Sequence, residues 1–392
     1  MNIILILTLI TSPLKGAESK TSGANLVPAK NRFGFRLLTE LSRGEIKENI
    51  VLSPYSIASA LAMTYNGAAG ETRAAMARVL EIEGIGIDEL NQGEKGLFEG
   101  LQQKDARLQL VIANSLWARK GIGFKTGFIN RVKKFFSAEV NVLDFNSPEA
   151  LVKINSWVRE KTRGKIERIV ERIVPDAVLY LINAVYFKGK WQQEFDPKQT
   201  YETDFHLSDG TKRRVMMMYR SDRFSYLAGD GFQAVKLPYG DGRMSMVVFL
   251  PDESLGLNGL ITRLAGENYS MWQKEFVKRQ GEVGLPRFKL EYEGSLNEPL
   301  KVLGMAIAFD LNIADFSEMS PMKGVAIGDV RHKSFIEVNE EGTEAAAVTS
   351  VEMVMTAMPV DRFRMICDRP FLFTIEDNRT GAILFLGAVV KP

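Results

Sequence analysis

The chain has 392 residues, with 50 Lys and Arg against 48 Asp and Glu, two His and one Cys. Its 45% hydrophobic and 25% charged content is that of an ordinary folded protein, which excludes a disordered chain, a collagen or a disulfide-stapled scaffold. A formal charge of +2 gives no strong field for nucleic acid or an anionic membrane. Cys367 alone can make no internal disulfide, and His206 and His332 are thin material for a metal centre or a catalytic triad.

Residues 3–10 form an apolar run of signal-peptide length, too short to span a bilayer. No Lys or Arg precedes it, and Lys15-Gly16-Ala17 is the candidate cleavage site. Residues 1–17 are therefore expected as a signal peptide, with the mature protein secreted, or periplasmic in a bacterium. Residues 18–29 read as a short polar extension. Length alone suggests two domains, because single cores stop growing beyond roughly 250–300 residues. Yet residues 30–392 show no linker, repeat or composition break, and so read as one unit.

Residues 33–41 carry apolar side chains at helical spacing. Ser53-Pro54 fits an N-cap followed by proline in the first turn, and the mostly apolar stretch to Tyr65 predicts a buried helix that stops at Asn66-Gly67. A shorter helix is predicted over 71–80. Ser147-Pro148-Glu149 repeats the cap-and-proline signal for a helix to about Lys161, and 296–305 reads as another. Residues 108–117, 179–187 and 244–250 read as strands, and 371–375 with 382–390 as a hairpin across 376–381. The near-continuous apolar character of the hairpin predicts burial on both faces. Helices and strands do not alternate regularly, which points to a mixed α+β architecture with several large sheets.

Motifs for catalysis are missing. No phosphate-binding loop, zinc-protease helix, nucleophile elbow or paired C-x-x-C occurs. Gly121-Ile122-Gly123 reads as a turn. Lys212-Arg213-Arg214 beside three methionines reads as a solvated strand end entering the core, and Arg131, Lys133 and Lys134 read as ordinary surface charge. Asn268-Tyr269-Ser270 and Asn378-Arg379-Thr380 are glycosylation sequons.

Residues 338–360 behave unlike a core. Thr343, Ala345, Ala347, Thr349, Val351 and Met353 form an alternate set without charge, beginning with small side chains. Glu344, Ala346, Val348, Ser350, Glu352 and Val354 form the other, which carries both glutamates. As a strand, the segment would put the first set against a core and the second towards water. Alanine is a weak strand former, and Ala and Glu over 343–348 suit a helix equally well. From this segment alone, a helix and a latent strand stay level.

Five blocks in order resemble the serpin family, over residues from about 30 to the C-terminus. They are 49–57 with 60–63 and 67–72, then 181–191 with Phe195, then the run Glu340-Glu341-Gly342-Thr343-Glu344-Ala345-Ala346-Ala347, then 369–373, and then 381–387. The resemblance implies an α+β serpin fold with three β-sheets, eight or nine helices and an exposed reactive-centre loop at about 341–360. It implies a monomeric suicide-substrate inhibitor of serine proteases, not an enzyme, with no cofactor and no metal. By that resemblance, the target's nucleophile attacks the loop, and the cut loop then inserts into the main sheet. Residues 343–356 as a strand would reach on the order of 46 Å. No charge or proline falls on the inward set, which favours an inhibitor over a non-inhibitory binding, chaperone-like or plain substrate member.

Family spacing from the hinge at 340–347 puts the scissile bond at Thr356-Ala357, with Met355 as the register alternative. Elastase-like targets suit the first and chymotrypsin-like targets the second; subtilisin-like enzymes stay open. The absence of Arg or Lys from 342 to 358 argues against trypsin-like targets. Ser53, Ser56, Asn183 and His332 match the family's shutter, and Trp191, Arg287 and Glu340 match its breach, where insertion starts. Residues 88–103, near the family's fourth helix, lack a basic stripe, so no glycosaminoglycan site of that type is expected.

Overall fold

The computed structural model describes residues 26–102, 105–174, 177–265, 268–343 and 362–392. Among these, the α-helices in chain order are α1 (Leu26–Leu41), α2 (Pro54–Tyr65), α3 (Gly70–Leu80), α4 (Ile87–Leu101), α5 (Thr126–Phe136), α6 (Pro148–Lys161), α7 (Gly256–Leu264), α8 (Asn268–Trp272) and α9 (Asn297–Leu300). The strands are β1 (Ile50–Leu52), β2 (Leu108–Arg119), β3 (Glu139–Leu143), β4 (Leu179–Lys190), β5 (Thr200–His206), β6 (Lys212–Gly229), β7 (Phe232–Tyr239) and β8 (Met244–Pro251). They continue with β9 (Val277–Pro286), β10 (Phe288–Ser295), β11 (Asp329–Val338), β12 (Gly342–Thr343), β13 (Phe363–Ile366), β14 (Phe371–Asp377) and β15 (Ile383–Val389).

One sheet runs β10-β11-β4-β2-β3, with β12 added along β4. The larger network runs β1-β15-β14-β8-β7-β6-β9-β13, with β5 on β6. The expected second and third sheets are thus joined. The 18-residue β6 pairs with β5 and β9 over its first part and with β7 over its last, so it belongs to both. Its start behaves as read from sequence: Lys212, Arg213 and Arg214 are exposed, while Val215, Met217 and Met218 are buried.

Strand β4 faces two cores because its side chains alternate. Leu179, Leu181, Val185 and Phe187 join the main apolar cluster, which extends from α1 to β15. Tyr180, Ile182 and Ala184 join a second cluster with Ala150, Ile154, Trp157 and Val158 of α6. Every residue of α2 is buried, between α1, α3, β4 and β15. Proline starts it as predicted, but the Ser53 hydroxyl makes no cap bond, whereas Ser147 caps α6 by accepting from the Glu149 N–H at 3.3 Å.

Two readings need correction. The polar extension does not reach residue 29, because α1 begins at Leu26 and buries Leu26, Val27 and Ala29. The helix predicted over 296–305 is broken: α9 gives way to a wide π-type turn over Lys301–Met305, and Gly304 has φ 116°. The second alternate set, over 344–354, lies outside the described residues. The face of β4 that carries Tyr180, Ile182 and Ala184 packs with α6. The hairpin is as read, with β14 and β15 antiparallel, and Gly121 (φ 103°) makes the turn expected there.

Candidate functional site: the hinge and the seam beside β4

Strands β11 and β4 run parallel and pair from Asp329–Tyr180 to Phe335–Tyr186. Beyond that point the seam forks. After β11 the chain turns through Asn339–Gly342, where the Asn339 N–H donates to the Gly342 carbonyl at 2.8 Å. It then returns as β12, antiparallel to β4, with Gly342 opposite Lys190 and Thr343 opposite Gly189. Gly342 is required twice over. Its φ is 141°, and a Cβ there would lie 2.0 Å from the Gly189 carbonyl oxygen.

Thr343 is fully buried, and its Oγ1 lies 3.0 Å from the Tyr239 hydroxyl. Burial pushes the Tyr239 phenol far up, so it stays protonated. Its ring stacks on Trp191 at 4.3 Å and 12°. The Trp191 indole donates to the Asn339 carbonyl at 2.9 Å, and the Trp191 and Phe195 N–H groups donate to the Glu341 and Glu340 carbonyls, each at 2.8 Å. The breach residues therefore grip the turn itself.

The Glu340 carboxylate accepts from Arg287 Nε at 2.8 and 2.9 Å, from a second Arg287 nitrogen, and from the Thr200 hydroxyl at 2.6 Å. Burial pushes this carboxyl up, but the hydrogen bonds from Arg287 and Thr200 outweigh it and hold it below the ordinary range. Arg287 keeps 43% of its side chain exposed, against 7% for Glu340. The pair is half wet, which limits the desolvation cost of burying it.

Lower in the seam, His332, Asn183 and Asn114 sit side by side on β11, β4 and β2. The Ser53 N–H donates to His332 Nε2 at 3.3 Å, so Nε2 is the acceptor nitrogen. His332 Nδ1 therefore carries the proton and donates to Asn183 Oδ1 at 2.6 Å. Asn183 in turn donates to Asn114 at 2.6 Å. His332 is fully buried, and burial pushes its imidazole down to about 3, so it is neutral. Ser53 and Ser56 are buried too, yet neither hydroxyl has a hydrogen-bond partner among the described residues.

Of the residues read from sequence, Trp191, Arg287, Glu340, Glu341, Gly342 and Thr343 meet at the hinge, and Ser53, Asn183 and His332 meet at the shutter. Ser56 is buried nearby without a bond to them. Glu344, Ala345, Ala346, Ala347, Met355, Thr356 and Ala357 lie outside the described residues. Asn114, Thr200 and Tyr239 were missed. Asn114 carried a signal, as an amide inside a strand rich in apolar residues; Thr200 and Tyr239 carried none. The sequon asparagines use their side chains internally: Asn268 donates to the Arg263 carbonyl at 2.8 Å, and Asn378 to Ser245 Oγ at 2.7 Å.

A family profile described as Serpin (serine protease inhibitor) matches residues 28–392. This chain belongs to the serpin family. Serpin B6 of Pongo abelii is 38% identical over 377 residues, covering 94% of this chain and 99% of that protein. Leukocyte elastase inhibitor of Bos taurus is 38% identical over 379 residues, with 94% and 99% covered. The crystal structure of the thermophilic serpin tengpin in its native state superposes with a TM-score of 0.88, at 33% identity and 94% coverage of each chain. This serpin aligns with each of those relatives over 94% of its length.

Proposed function

We propose that this serpin inhibits serine proteases as a suicide substrate, offering the bond Thr356-Ala357 to the target's nucleophile. The observation that carries this reading is the hinge. Thr343 is already buried antiparallel on β4, at the mouth of the β4–β11 seam. Continuing the register of β12 would set Ala345 opposite Phe187, Ala347 opposite Val185 and Thr349 opposite Asn183. Phe187 and Val185 face the main core, so small uncharged side chains meet the buried face. Glu344 would fall opposite Lys188. The inserted strand would gain ladders on both flanks, which makes the uncut form a kinetic trap.

Insertion on this register requires β11 to part from β4 over Tyr180–Tyr186, and α6 to give way where Ser350 and Glu352 would come opposite Ile182 and Tyr180. A small β-branched Thr356 before the cut bond favours elastase-like targets. A cut one residue earlier, after Met355, favours chymotrypsin-like ones, and subtilisin-like enzymes form the third class. The names of relatives such as leukocyte elastase inhibitor support the same choice. The protein acts as a monomer. The apolar run at 3–10 supports its export, and a mature chain starting at Glu18 is the expected product.

The test is incubation with one protease of each class. A detergent-stable covalent complex, together with a released peptide whose mass corresponds to residues 357–392, is expected. Cleavage of the loop by all three without any trapped complex would instead mark a non-inhibitory binding protein or a plain substrate.

A further inference from the structure

Arg220 on β6 is the least expected cation in the molecule. Its side chain is only 12% exposed. The guanidinium carbon lies 4.9 Å from the centre of the Phe195 ring and 4.8 Å from that of Phe224, so it is clamped between two aromatic faces. One nitrogen donates to the Gln193 carbonyl, Asp222 stands 4.0 Å away, and Nε has no hydrogen-bond partner among the described residues. A buried guanidinium left partly unsatisfied costs stability.

The rings on either side lead to the two ends of the loop. Phe195 packs edge-on against Trp191 at 6.2 Å, and its N–H holds the Glu340 carbonyl of the hinge turn. Phe224 packs edge-on against Phe363 at 5.9 Å, and Phe363 stacks on Tyr226 at 3.9 Å. Phe363 opens β13, where the chain re-enters the sheet after the loop. It lies over Gly281, where a Cβ would come within 2.3 Å of its ring. Strand β13 is a four-residue edge that, among the described residues, pairs with β9 alone, so few hydrogen bonds hold it.

We infer that Arg220 is a positioning residue for the reactive loop: its clamped guanidinium ties the hinge turn to β13 and so keeps the uncut loop out of the sheet. This rests on the insertion reading above. Seating residues 343–356 along β4 would span on the order of 46 Å, whereas the chain from 356 to 363 reaches at most about 25 Å. An uncut loop can therefore fill the seam only if β13 peels off β9. A cut loop needs no such release. The column through Arg220 thus opposes the unproductive insertion and leaves the productive one alone.

The experiment compares the wild type with Arg220→Leu, Arg220→Lys and Phe224→Leu. Each is assayed fresh for covalent complex formation, then held at 37 °C and followed by residual inhibition, chain integrity, loop proteolysis and Tm. Arg220→Leu and Phe224→Leu are expected to trap protease normally when fresh. They should then lose inhibition on the order of tenfold faster, the effect of removing a desolvated cation–π contact. The product should be an uncut monomer with a protected loop and a raised Tm. Arg220→Lys, which keeps a cation, should fall in between. Decay at the wild-type rate, or decay through aggregation with a lowered Tm, would overturn the inference. If no protein traps protease even when fresh, the inhibitory reading fails, and loop protection and Tm still decide the role of Arg220.

Discussion

At the hinge end of the β4 seam the strand edge is filled by Thr343 and closed by the Trp191–Tyr239 stack and the Glu340–Arg287 pair. At the shutter end, β11 lies directly on β4, and the polar residues beneath are incompletely matched: the Ser53 and Ser56 hydroxyls have no partners among the described residues. The hinge end is polar where it meets water, and Trp191, Glu340 and Thr343 all make hydrogen bonds there. The shutter end is dry and short of bonds. Entry of the loop is thus prepared, and the resistance to further entry lies lower down, where backbone pairing of β4 with β11 has to break before anything replaces it.

Thr343→Arg is the most severe way to break this contrast. It places a charge at a fully buried position against the Tyr239 hydroxyl. An unpaired buried charge costs several kcal/mol. The variant should still be cut by the target but should trap none of it, a result read directly from the ratio of complex to cleaved protein on a denaturing gel. Normal trapping would show that Thr343 does not lead the loop into the core.

Glu340→Gln comes next. It keeps the shape and an acceptor for Thr200 but removes the charge that holds Arg287. A hydrogen bond to a charged group contributes about 1.5–3 kcal/mol, and the half-exposed arginine places this one towards the low end. Faster hydrogen exchange confined to residues 339–343 is expected. Unchanged exchange there would mean that Trp191 alone grips the turn.

The limits of α2, set by Pro54 and Asn66, and the β14–β15 hairpin were legible because local chemistry decides them: a proline in the first turn, a stop signal, two apolar runs around a glycine turn. The inward parity of Thr343 was legible for the same reason, since alternation is a local property. Helix α4 was not, because Gly93, Gly96 and Gly100 lower its intrinsic propensity while Leu90, Leu97 and Leu101 still bury an apolar face. The length of β6, the covering of β4 by α6 and the Arg220 column all depend on partners far away in the chain, and a single sequence carries no trace of them. The shutter and breach residues were reached through family resemblance; composition and spacing would have left His332 an ordinary core histidine.

Acid should separate the two ends of the seam. The folded His332 is pushed down to about 3 from an ordinary 6.5. A seam that opens and wets this imidazole takes up a proton first as pH falls. The stability it contributes is therefore whole above about 6.5 and is lost progressively towards about 3, by up to about 1.4 kcal/mol per pH unit. Glu340 is held below its ordinary 4.5, so its contribution is whole above about 4.5 and is lost as the pH falls from there through the lower folded value. Between about 6.5 and 4.5, exchange of the β4–β11 amides at 180–186 and 329–335 should quicken while 339–343 stays protected. His332→Gln should flatten the pH dependence, and a dependence that survives it would point to another group.

The smallest effect expected is at Ser56, and it tests whether the shutter is truly short of bonds. Its hydroxyl is fully buried without a partner among the described residues. Removing one member of a satisfied pair costs about 1–3 kcal/mol, whereas removing an unsatisfied group can be neutral or stabilising. Ser56→Ala should therefore leave the stability of the uncut protein unchanged or raise it by less than about 1 kcal/mol. The cut, inserted form is a different matter, because Thr349 would come level with Asn183 and bring a hydroxyl to the same cluster. If that hydroxyl pairs with Ser56, the alanine variant should lose stability only after cleavage. Thermal unfolding of both forms decides it: an equal loss in both would mean that Ser56 is already bonded in the uncut protein and that the shutter is as well satisfied as the hinge.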